Sequence, residues 1–315
     1  MDCRAAAALS LVLAAGAGCG RGPEPGRAEP RPEAAEPGAD RLRWDLVYER
    51  TVEGQRDIFV APAGGGPEIR LTDHPAEDGL PRWTRDGGAI LFSSDRTGTR
   101  QLWEIPAAGG AARRLRANDS EDSEADPSPD GGRVAFLSKV EGPQALFVLD
   151  RATGRARALV RHGRNMKGGR AVLGNPHFSP DGKRIVFSSN VSFGHQIYVV
   201  DVATGRETQV SPVTSGGCEP RFSPDGRRVV YVSRRLWKVR SRIVEHDLDS
   251  GRERVLVDWD ALNYDPAYSP DGSELALAST REGKYAIYRV RLADGRAWRV
   301  TSGPGEARYP DYRPR

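Results

Sequence analysis

The sequence predicts an all-β protein, a six-bladed β-propeller of four-stranded antiparallel blades, and three observations lead to this prediction. A phrase built on Ser-Pro-Asp-Gly recurs along the chain, with 44 to 51 residues between successive Asp-Gly pairs. Short apolar runs flank every copy, and an isolated strand-like segment stands at the end of the chain. A period in the forties is typical of small repeated sheets that pack side by side.

Each phrase predicts a hairpin between two strands, A and B. Proline sets φ at the second turn position, and glycine adopts the left-handed conformation that follows the aspartate. We interpret the aspartates as structural, because such side chains accept N–H bonds within their own turns. The Asp-Gly pairs begin at Asp86, Asp130, Asp181, Asp225 and Asp271.

Two more strands, C and D, follow each hairpin, and their number predicts how the ring closes. Strands B, C and D occur six times, and the first set, which starts at Leu46, has no strand A before it. The chain ends with Tyr-Pro-Asp-Tyr at residues 309–312, which has the pattern of strand A. We therefore expect this C-terminal strand to join the first blade, which closes the ring and covers the exposed sheet edges.

The repeat carries a resemblance to a known family. Phe-Ser-Pro-Asp-Gly at 178–182, followed by Ile-Tyr-Val-Val-Asp at 197–201, resembles the WD40-like repeat of the TolB family. The propellers of prolyl-oligopeptidase relatives share this repeat. The resemblance covers roughly residues 44–315 and implies a periplasmic propeller. The partners of the TolB family are a peptidoglycan-associated lipoprotein and Tol inner-membrane proteins, and of these contacts the resemblance carries over only one between the loop face and an envelope lipoprotein. TolB proteins also carry an α/β domain before the propeller, whereas only a short tether precedes the first blade predicted here.

The N-terminal residues predict export and anchoring. Residues 1–18 read as a signal peptide, since an apolar run too short to span a bilayer precedes small residues and Cys19. This order is typical of a bacterial lipoprotein in which Cys19 is lipidated, although Ala-Gly-Ala at 15–17 would also suit ordinary signal peptidase and a soluble secreted form. Residues 19–40 are Pro-rich without apolar periodicity and predict a disordered tether, which leaves 41–315 for the propeller.

Polar residues just before strand A predict a candidate binding site at one mouth of the central channel. We select Glu124, Asn175, Glu219 and Asp265 from this series, with His177 inside the next strand A. The three carboxylates favour a cation, an amine or a basic peptide as ligand, and the alternative is a solvated rim. The full series is Leu80, Glu124, Asn175, Glu219, Asp265 and Tyr309.

Two longer connections on the same face are basic and predict a partner-binding surface. A tryptophan among arginines is typical of a protein-contact hot spot. The alternative is a solubilising loop in which Trp237 folds back on its own hairpin. The candidate residues are Arg164, Lys167 and Arg170 in one connection and Arg235, Trp237, Lys238 and Arg240 in the other.

Signals for catalysis and metal binding are weak. The five histidines have no metal-ligand spacing, and no Gly-x-Ser-x-Gly motif is present. We therefore assign no catalytic residue, metal or cofactor; the acidic run 119–126 offers oxygen ligands for calcium but lacks EF-hand spacing. The alternative function is a propeller enzyme, either a polysaccharide lyase or a lactone or glycoside hydrolase, acting at the channel mouth.

The sequence thus predicts a monomeric, non-enzymatic binding module on the periplasmic face of the envelope. The expected partner is an envelope protein or lipoprotein, and the expected membrane contact is the lipid anchor of an outer-membrane lipoprotein, with the inner membrane left open. A net charge of +4 is modest for this length, and no nucleic-acid partner is expected.

Replacing the anchor residue tests the lipoprotein prediction. Cys19→Ser should move the protein from the membrane fraction to the soluble periplasmic fraction, because it removes the only atom that could carry the lipid at this position. Immunoblots of fractionated cells measure the change, and Cys3→Ser should leave the distribution unaltered. Retention of the Cys19→Ser protein in the membrane would contradict the prediction.

Overall fold

The computed structural model describes residues 45–192, 194–212, 216–234 and 240–314. The predicted signal peptide (1–18), Cys19 and the tether (19–40) lie outside the described residues. Within them the secondary structure consists of 24 β-strands in six four-stranded antiparallel sheets. No helix long and apolar enough to cross a bilayer occurs in this part of the chain. The innermost strand of each sheet contacts that of the next sheet around a closed ring.

Each sheet is one blade, and strands A to D run outward from the channel. The first blade consists of β24 (Glu306–Tyr312), β1 (Asp45–Val52), β2 (Gln55–Pro62) and β3 (Ile69–Arg70). The second consists of β4 (Asp78–Trp83), β5 (Ala89–Ser94), β6 (Gln101–Pro106) and β7 (Arg113–Arg114). The third consists of β8 (Asp122–Pro127), β9 (Arg133–Ser138), β10 (Ala145–Asp150) and β11 (Ala156–Val160). The fourth consists of β12 (Leu173–Phe178), β13 (Arg184–Ser189), β14 (Gln196–Asp201) and β15 (Glu207–Gln209). The fifth consists of β16 (Gly217–Phe222), β17 (Arg228–Arg234), β18 (Ser241–Asp247) and β19 (Glu253–Val257). The sixth consists of β20 (Asn263–Tyr268), β21 (Glu274–Ser279), β22 (Ala286–Arg291) and β23 (Ala297–Arg299).

The ring closes as the sequence predicts. The C-terminal strand β24 pairs antiparallel with β1, and Tyr312 lies opposite Leu46. The strand begins at Glu306, three residues before the predicted segment 309–312. The first blade therefore combines the last strand of the chain with its first three strands, and the inner edge of β1 is paired by β24.

Every strand A contains a β-bulge in which two residues face one residue of strand B. In the second blade, for example, the register shifts between Gly79 and Arg82. The first bulge residue has a left-handed backbone, with φ between 52° and 59°. Proline follows it in five of the six blades, where its missing N–H costs no ladder hydrogen bond. The left-handed residues are Leu80, Glu124, Asn175, Glu219, Asp265 and Tyr309.

This bulge corrects the sequence-based placement of the polar series. We expected these residues just before strand A, whereas they lie inside it; Glu124, for example, is the third residue of β8. The sequence pattern placed the start of strand A at the proline, because proline ordinarily begins or interrupts a strand. The bulge allows the strand to continue across it.

The core of each blade is built on strand B. Tyr48, Phe92, Phe136, Phe187 and Tyr231 are fully buried, each opposite the bulge of its own blade. These aromatic rings fill the space between neighbouring sheets and are packing residues.

The turn aspartates are structural, as expected. Asp181 accepts the N–H of Lys183 at 3.0 Å and the hydroxyl of Ser179 at 2.5 Å. Asp225 and Asp271 make the equivalent contacts in their own turns. Each aspartate therefore fixes the geometry of one A–B turn.

The stability of the closing strand can be tested at Tyr312, which is 5% exposed and packs in the same cluster as Leu46 and Leu275. Tyr312→Ala should lower the free energy of unfolding by about 3 kcal/mol or more, because it leaves a cavity in that cluster. Urea unfolding followed by fluorescence measures the change. Ile69→Ala, at an exposed position on an outermost strand, should change it by less than about 0.5 kcal/mol. Equal effects of the two substitutions would argue against the closing role.

Candidate functional site

The carboxylates of the left-handed series bond to neighbouring blades. Glu124 Oε2 accepts the N–H of Asn175 at 2.5 Å, and Glu219 Oε2 accepts the N–H of Asp265 at 2.7 Å. Asp265 Oδ2 in turn accepts the N–H of Tyr309 at 3.2 Å. Each bond joins one innermost strand to the next, so these side chains hold adjacent blades together.

A cation of the chain itself occupies the space between two of these carboxylates. Arg308 Nε lies 3.0 Å from Asp265 Oδ2, and Arg308 Nη2 lies 3.6 Å from Glu219 Oε1. Burial lowers the pKa of Arg308, but the attraction of Asp265, Tyr309 and Glu219 outweighs burial and raises the pKa overall. The site that the sequence suggested for a cation or amine is therefore filled by an arginine side chain.

A cavity of about 410 Å³ lies between the first, second and sixth blades, and two members of the left-handed series, Leu80 and Tyr309, line it. Asn175, Glu219 and Asp265, at the equivalent positions of other blades, instead surround a constriction with only about 10 Å³ of free space. That space holds about one water molecule. The constriction therefore separates the two ends of the channel.

A second layer of charged side chains lies two residues further along strand A. Arg221 Nη1 is 2.5 Å from Asp311 Oδ1, and Arg82 Nε is 3.8 Å from Asp126 Oδ1. The two aspartates also accept backbone N–H bonds from neighbouring blades, Asp311 from Trp83 and Asp126 from Phe178. The layer is completed by His177 and Ala267.

Burial shifts the ionisation of two groups in this layer. It raises the pKa of Asp126 to about 6, against the opposing effects of Arg82 and of the Phe178 N–H. It lowers the pKa of His177 well below the usual value, and the nearby Arg221, Arg82 and Arg85 act in the same direction. His177 Nδ1 accepts the N–H of Phe222 at 3.2 Å, which assigns the proton of the neutral ring to Nε2.

An axial cavity of about 300 Å³ opens beyond this layer, on the face of the Ser-Pro-Asp-Gly turns. His177, which the sequence placed with the candidate channel-mouth residues, lies at the base of this cavity. Four turn prolines, Pro314 after the C-terminal strand, and Arg85 occupy equivalent positions around the opening, here called the collar. Arg85 is one of them because Thr84-Arg85-Asp86-Gly87 replaces the common phrase in the second blade. The collar consists of Arg85, Pro129, Pro180, Pro224, Pro270 and Pro314.

The cavity was missed because its lining is contributed by the scaffold phrase itself. Aromatic side chains that follow the bulges form the wall below the collar, among them Trp83, Phe178 and Phe222. One signal was present in the sequence: Arg85 stands where every other copy of the phrase has proline.

The basic connections differ in how far their cations are paired. In residues 161–170 the side chains of Lys167 and Arg170 are exposed and have no ion pair with any described residue. Arg164 donates to the Gly168 carbonyl at 2.6 Å. In the other connection Arg240 pairs with Asp260 at 2.9 Å. Arg235, Trp237 and Lys238 lie outside the described residues.

The carboxylates of the acidic run do not converge. Glu121 pairs with Lys139, and Asp122 with Arg116, whereas Glu124 accepts the N–H of Asn175 in the next blade. Among the described residues, no group of three or more His, Cys, Asp or Glu side chains is arranged to hold a metal ion.

A Ser-His-Glu contact occurs away from the channel. His162 Nδ1 lies 2.8 Å from Ser189 Oγ, and His162 Nε2 lies 2.8 Å from Glu207 Oε2. Ser189 is fully buried, however, and accepts the N–H of Val191, as the equivalent Ser138 does from Val140. The serine therefore serves a repeated turn contact and is not accessible to a substrate.

The fold and the channel define the chain as a closed six-bladed β-propeller. Within this class its repeats are TolB-like, as the sequence suggested: residues 36–169 match the family described as TolB beta propeller domain. The Tol-Pal system protein TolB of Gluconobacter oxydans is 33% identical over 66 residues, which are 21% of this chain and 15% of the relative's own length.

Solved structures show the same fold. TolB from Acinetobacter baumannii superposes with a TM-score of 0.76 at 19% identity, covering 87% of this chain and 68% of that one. A putative TolB from Agrobacterium tumefaciens gives 0.65 at 19% identity, covering 84% and 90%. An oligogalacturonate lyase in complex with manganese gives 0.56 at 15% identity, covering 82% and 73%. The propeller fold is therefore shared with TolB proteins and with a lyase, and the fold alone does not determine function.

The raised pKa of Asp126 has a consequence for stability. Because the pKa is about 6 in the folded protein and 3.8 is its ordinary value, the folded state binds the proton more tightly than the unfolded chain. The wild type should therefore lose stability relative to Asp126→Asn as pH rises from about 4 to about 6, by about 3 kcal/mol in total. Urea unfolding of both proteins across this range measures the difference.

Asp130→Asn is the matched control on the same blade. The hydrogen bond from Ser128, followed by that from the Gly132 N–H, lowers the pKa of Asp130, so its contribution to stability is lost only below the ordinary value. Its stability difference from the wild type should be flat above about pH 5. If the free energies of unfolding of Asp126→Asn and the wild type changed in parallel with pH over this range, the pKa of Asp126 would not be raised and the prediction would be wrong.

Proposed function

We propose that this protein is an exported, non-enzymatic binding propeller of the bacterial envelope that holds a protein partner on the face of its B–C and D–A loops. The TolB-like repeats support an envelope location, since the Gluconobacter relative is named as a Tol-Pal system protein. In this proposal the chain lies on the periplasmic side of the membrane, anchored through a lipidated Cys19.

The observation that carries the proposal is the hairpin 161–170 between β11 and β12, here called the basic hairpin. Its two sides are joined by a bridge between Arg164 and Arg170, and the Ala171 N–H donates to the Gly163 carbonyl. Met166, at the tip, is 72% exposed. Cations and an apolar side chain thus stand together on the loop face.

The basic hairpin is held in one geometry. Asn165 Oδ1 accepts the N–H groups of Lys167 and Gly169, and the Met166 N–H donates to the Val191 carbonyl of the neighbouring hairpin. A loop that is ordered before binding loses less conformational entropy when a partner docks. This arrangement suits recognition of a protein surface.

The charge of the basic hairpin indicates the chemistry of the partner. Lys167 and Arg170 lack counter-ions among the described residues, whereas Arg161 beside them is paired with Glu141. Unpaired cations around Met166 complement an acidic surface with an apolar centre, and such complementarity speeds association. Arg235, Trp237, Lys238 and Arg240 are proposed to extend this surface.

Contacts in the channel favour binding over the enzymatic alternative. Glu124, Glu219 and Asp265 accept backbone N–H groups, and Arg308 forms ion pairs with Glu219 and Asp265. A general acid or base needs a carboxyl group that can reach substrate. Here the carboxyl oxygens are occupied by contacts between blades.

A double charge reversal on the basic hairpin tests the proposal. Lys167→Glu with Arg170→Glu should remove the partner that crosslinks to the wild type in envelope preparations, because it places two acids against an acidic surface. Quantitative mass spectrometry of the crosslinked material measures the loss. The matched control is Arg206→Glu with Arg252→Glu, two exposed arginines on the opposite face, and it should retain the partner.

If the wild type, the double reversal on the basic hairpin and the control double reversal all recover the same proteins, the basic hairpin is excluded as the docking surface. Catalytic turnover of an oligosaccharide or a lactone by the purified chain, with no crosslinked partner, would instead support the propeller enzyme. The double reversal leaves the channel unchanged, so it separates these two outcomes.

A further inference from the structure

We propose that the axial cavity on the Ser-Pro-Asp-Gly face is a second binding site, which takes a small organic carboxylate. The carboxylate can belong to a free acid or to the C-terminus of a peptide, since both present the same group on an apolar body. This site lies at the opposite end of the channel from the basic hairpin and does not depend on the function proposed above.

The shape of the cavity requires a ligand to enter end-on. Its volume of about 300 Å³ lies at the lower end of the range for small-molecule sites. The layer of Arg82, Asp126, His177 and Arg221 closes its base, and the constriction behind that layer holds about 10 Å³. A ligand therefore reaches the charged layer with one end only.

The acidic groups at the base of the cavity already have hydrogen-bond or ion-pair partners, and the groups that remain available to a ligand are hydrogen-bond donors. Asp311 is held by Arg221 and by the Trp83 N–H, while Asp126 accepts the Phe178 N–H and faces Arg82. In contrast, Arg85 has no hydrogen bond or ion pair with any described residue. The His177 ring, whose Nδ1 is occupied by the Phe222 N–H, keeps its Nε2 proton for donation.

The charge of this end of the channel matches a monoanion. The lining itself holds two arginines (85 and 221) and two aspartates (126 and 311), with His177 neutral. Arg82 lies behind the lining in the same charged layer, so the lining and this layer together carry a net charge of +1. A carboxylate neutralises this charge, whereas a phosphate dianion would leave a negative charge in a largely enclosed space. Bidentate contact with a guanidinium suits a carboxylate as well.

The walls favour an apolar body behind the carboxylate. Aromatic rings and five prolines surround the opening, and polar side chains stand among them, including Ser223, Ser269 and Tyr268. The combination of an apolar collar with a few convergent donors is typical of sites for small ligands. We therefore expect a carboxylate on an aromatic or branched aliphatic group.

Arg85 offers a substitution that the fold already accepts. The other five blades have proline at this position, and proline is favoured at the second position of such a turn. Arg85→Pro should therefore fold, and it removes the unpaired guanidinium. Arg227→Ala removes an exposed arginine from a turn of the same face and serves as the matched control for charge.

Calorimetric titration of the full chain tests the proposal with four probes. These are 3-phenylpropionate, its neutral amide, and a hexapeptide ending in Ala-Phe with either a free or an amidated C-terminus. We expect saturable binding of at least one acid form, no binding of the matching amide, and affinity at least about tenfold weaker in Arg85→Pro. Arg227→Ala should bind as the wild type does.

The pattern of results identifies the source of the carboxylate and can overturn the proposal. Binding of phenylpropionate alone indicates a free acid, and binding of the free-ended peptide alone indicates a chain end. No saturable binding of any acid, equal binding of acid and amide, or unchanged affinity in Arg85→Pro would each refute the site. Lys167→Glu with Arg170→Glu should leave this affinity unchanged, which separates the site from the proposed partner surface.

Discussion

The left-handed bulge residue in every innermost strand is the constraint on which the rest of the structure depends. A non-glycine residue costs roughly 1–2 kcal/mol in this conformation, and this chain contains six such positions around its channel. Hydrogen bonds offset part of that cost, because the carboxylates of Glu124, Glu219 and Asp265 accept N–H groups that the bulges turn toward them. The bulge also decides which side chains reach the channel, and it therefore sets the ionic layer two residues further along.

The ionic layer explains why the two ends of the channel differ in chemistry. Toward the loops, acidic side chains are neutralised by Arg308 and leave a constriction. Toward the turns, Asp126 and Asp311 are satisfied by arginines and backbone N–H groups, and the remaining open groups are donors. One propeller thus presents an anion-accepting cavity on one face and a basic surface on the other, with a barrier between them.

The fold could be predicted from the sequence in unusual detail, whereas the site could not. The hairpins could be predicted because the phrase occurs five times, whereas a single copy would not distinguish a hairpin from an isolated turn. The strand-like segment at 309–312 predicted how the ring closes. The bulges could not be predicted from the sequence, because a pair such as Glu219-Pro220 has the pattern of a loop that ends just before a strand. Side-chain partners of Glu124 or Arg308 lie 51 and 43 residues away in the chain, so no local pattern reports them.

A ring of six near-identical walls gives a ligand on its axis no preferred rotation. Arg85 removes this degeneracy, because it replaces one of six equivalent collar prolines. An anion held at the axis is therefore oriented by Arg85 of the second blade at the collar and by His177 of the fourth blade at the base. The four turns that contain Pro129, Pro180, Pro224 and Pro270 can change in sequence without moving either donor, so selectivity and scaffold are free to evolve separately.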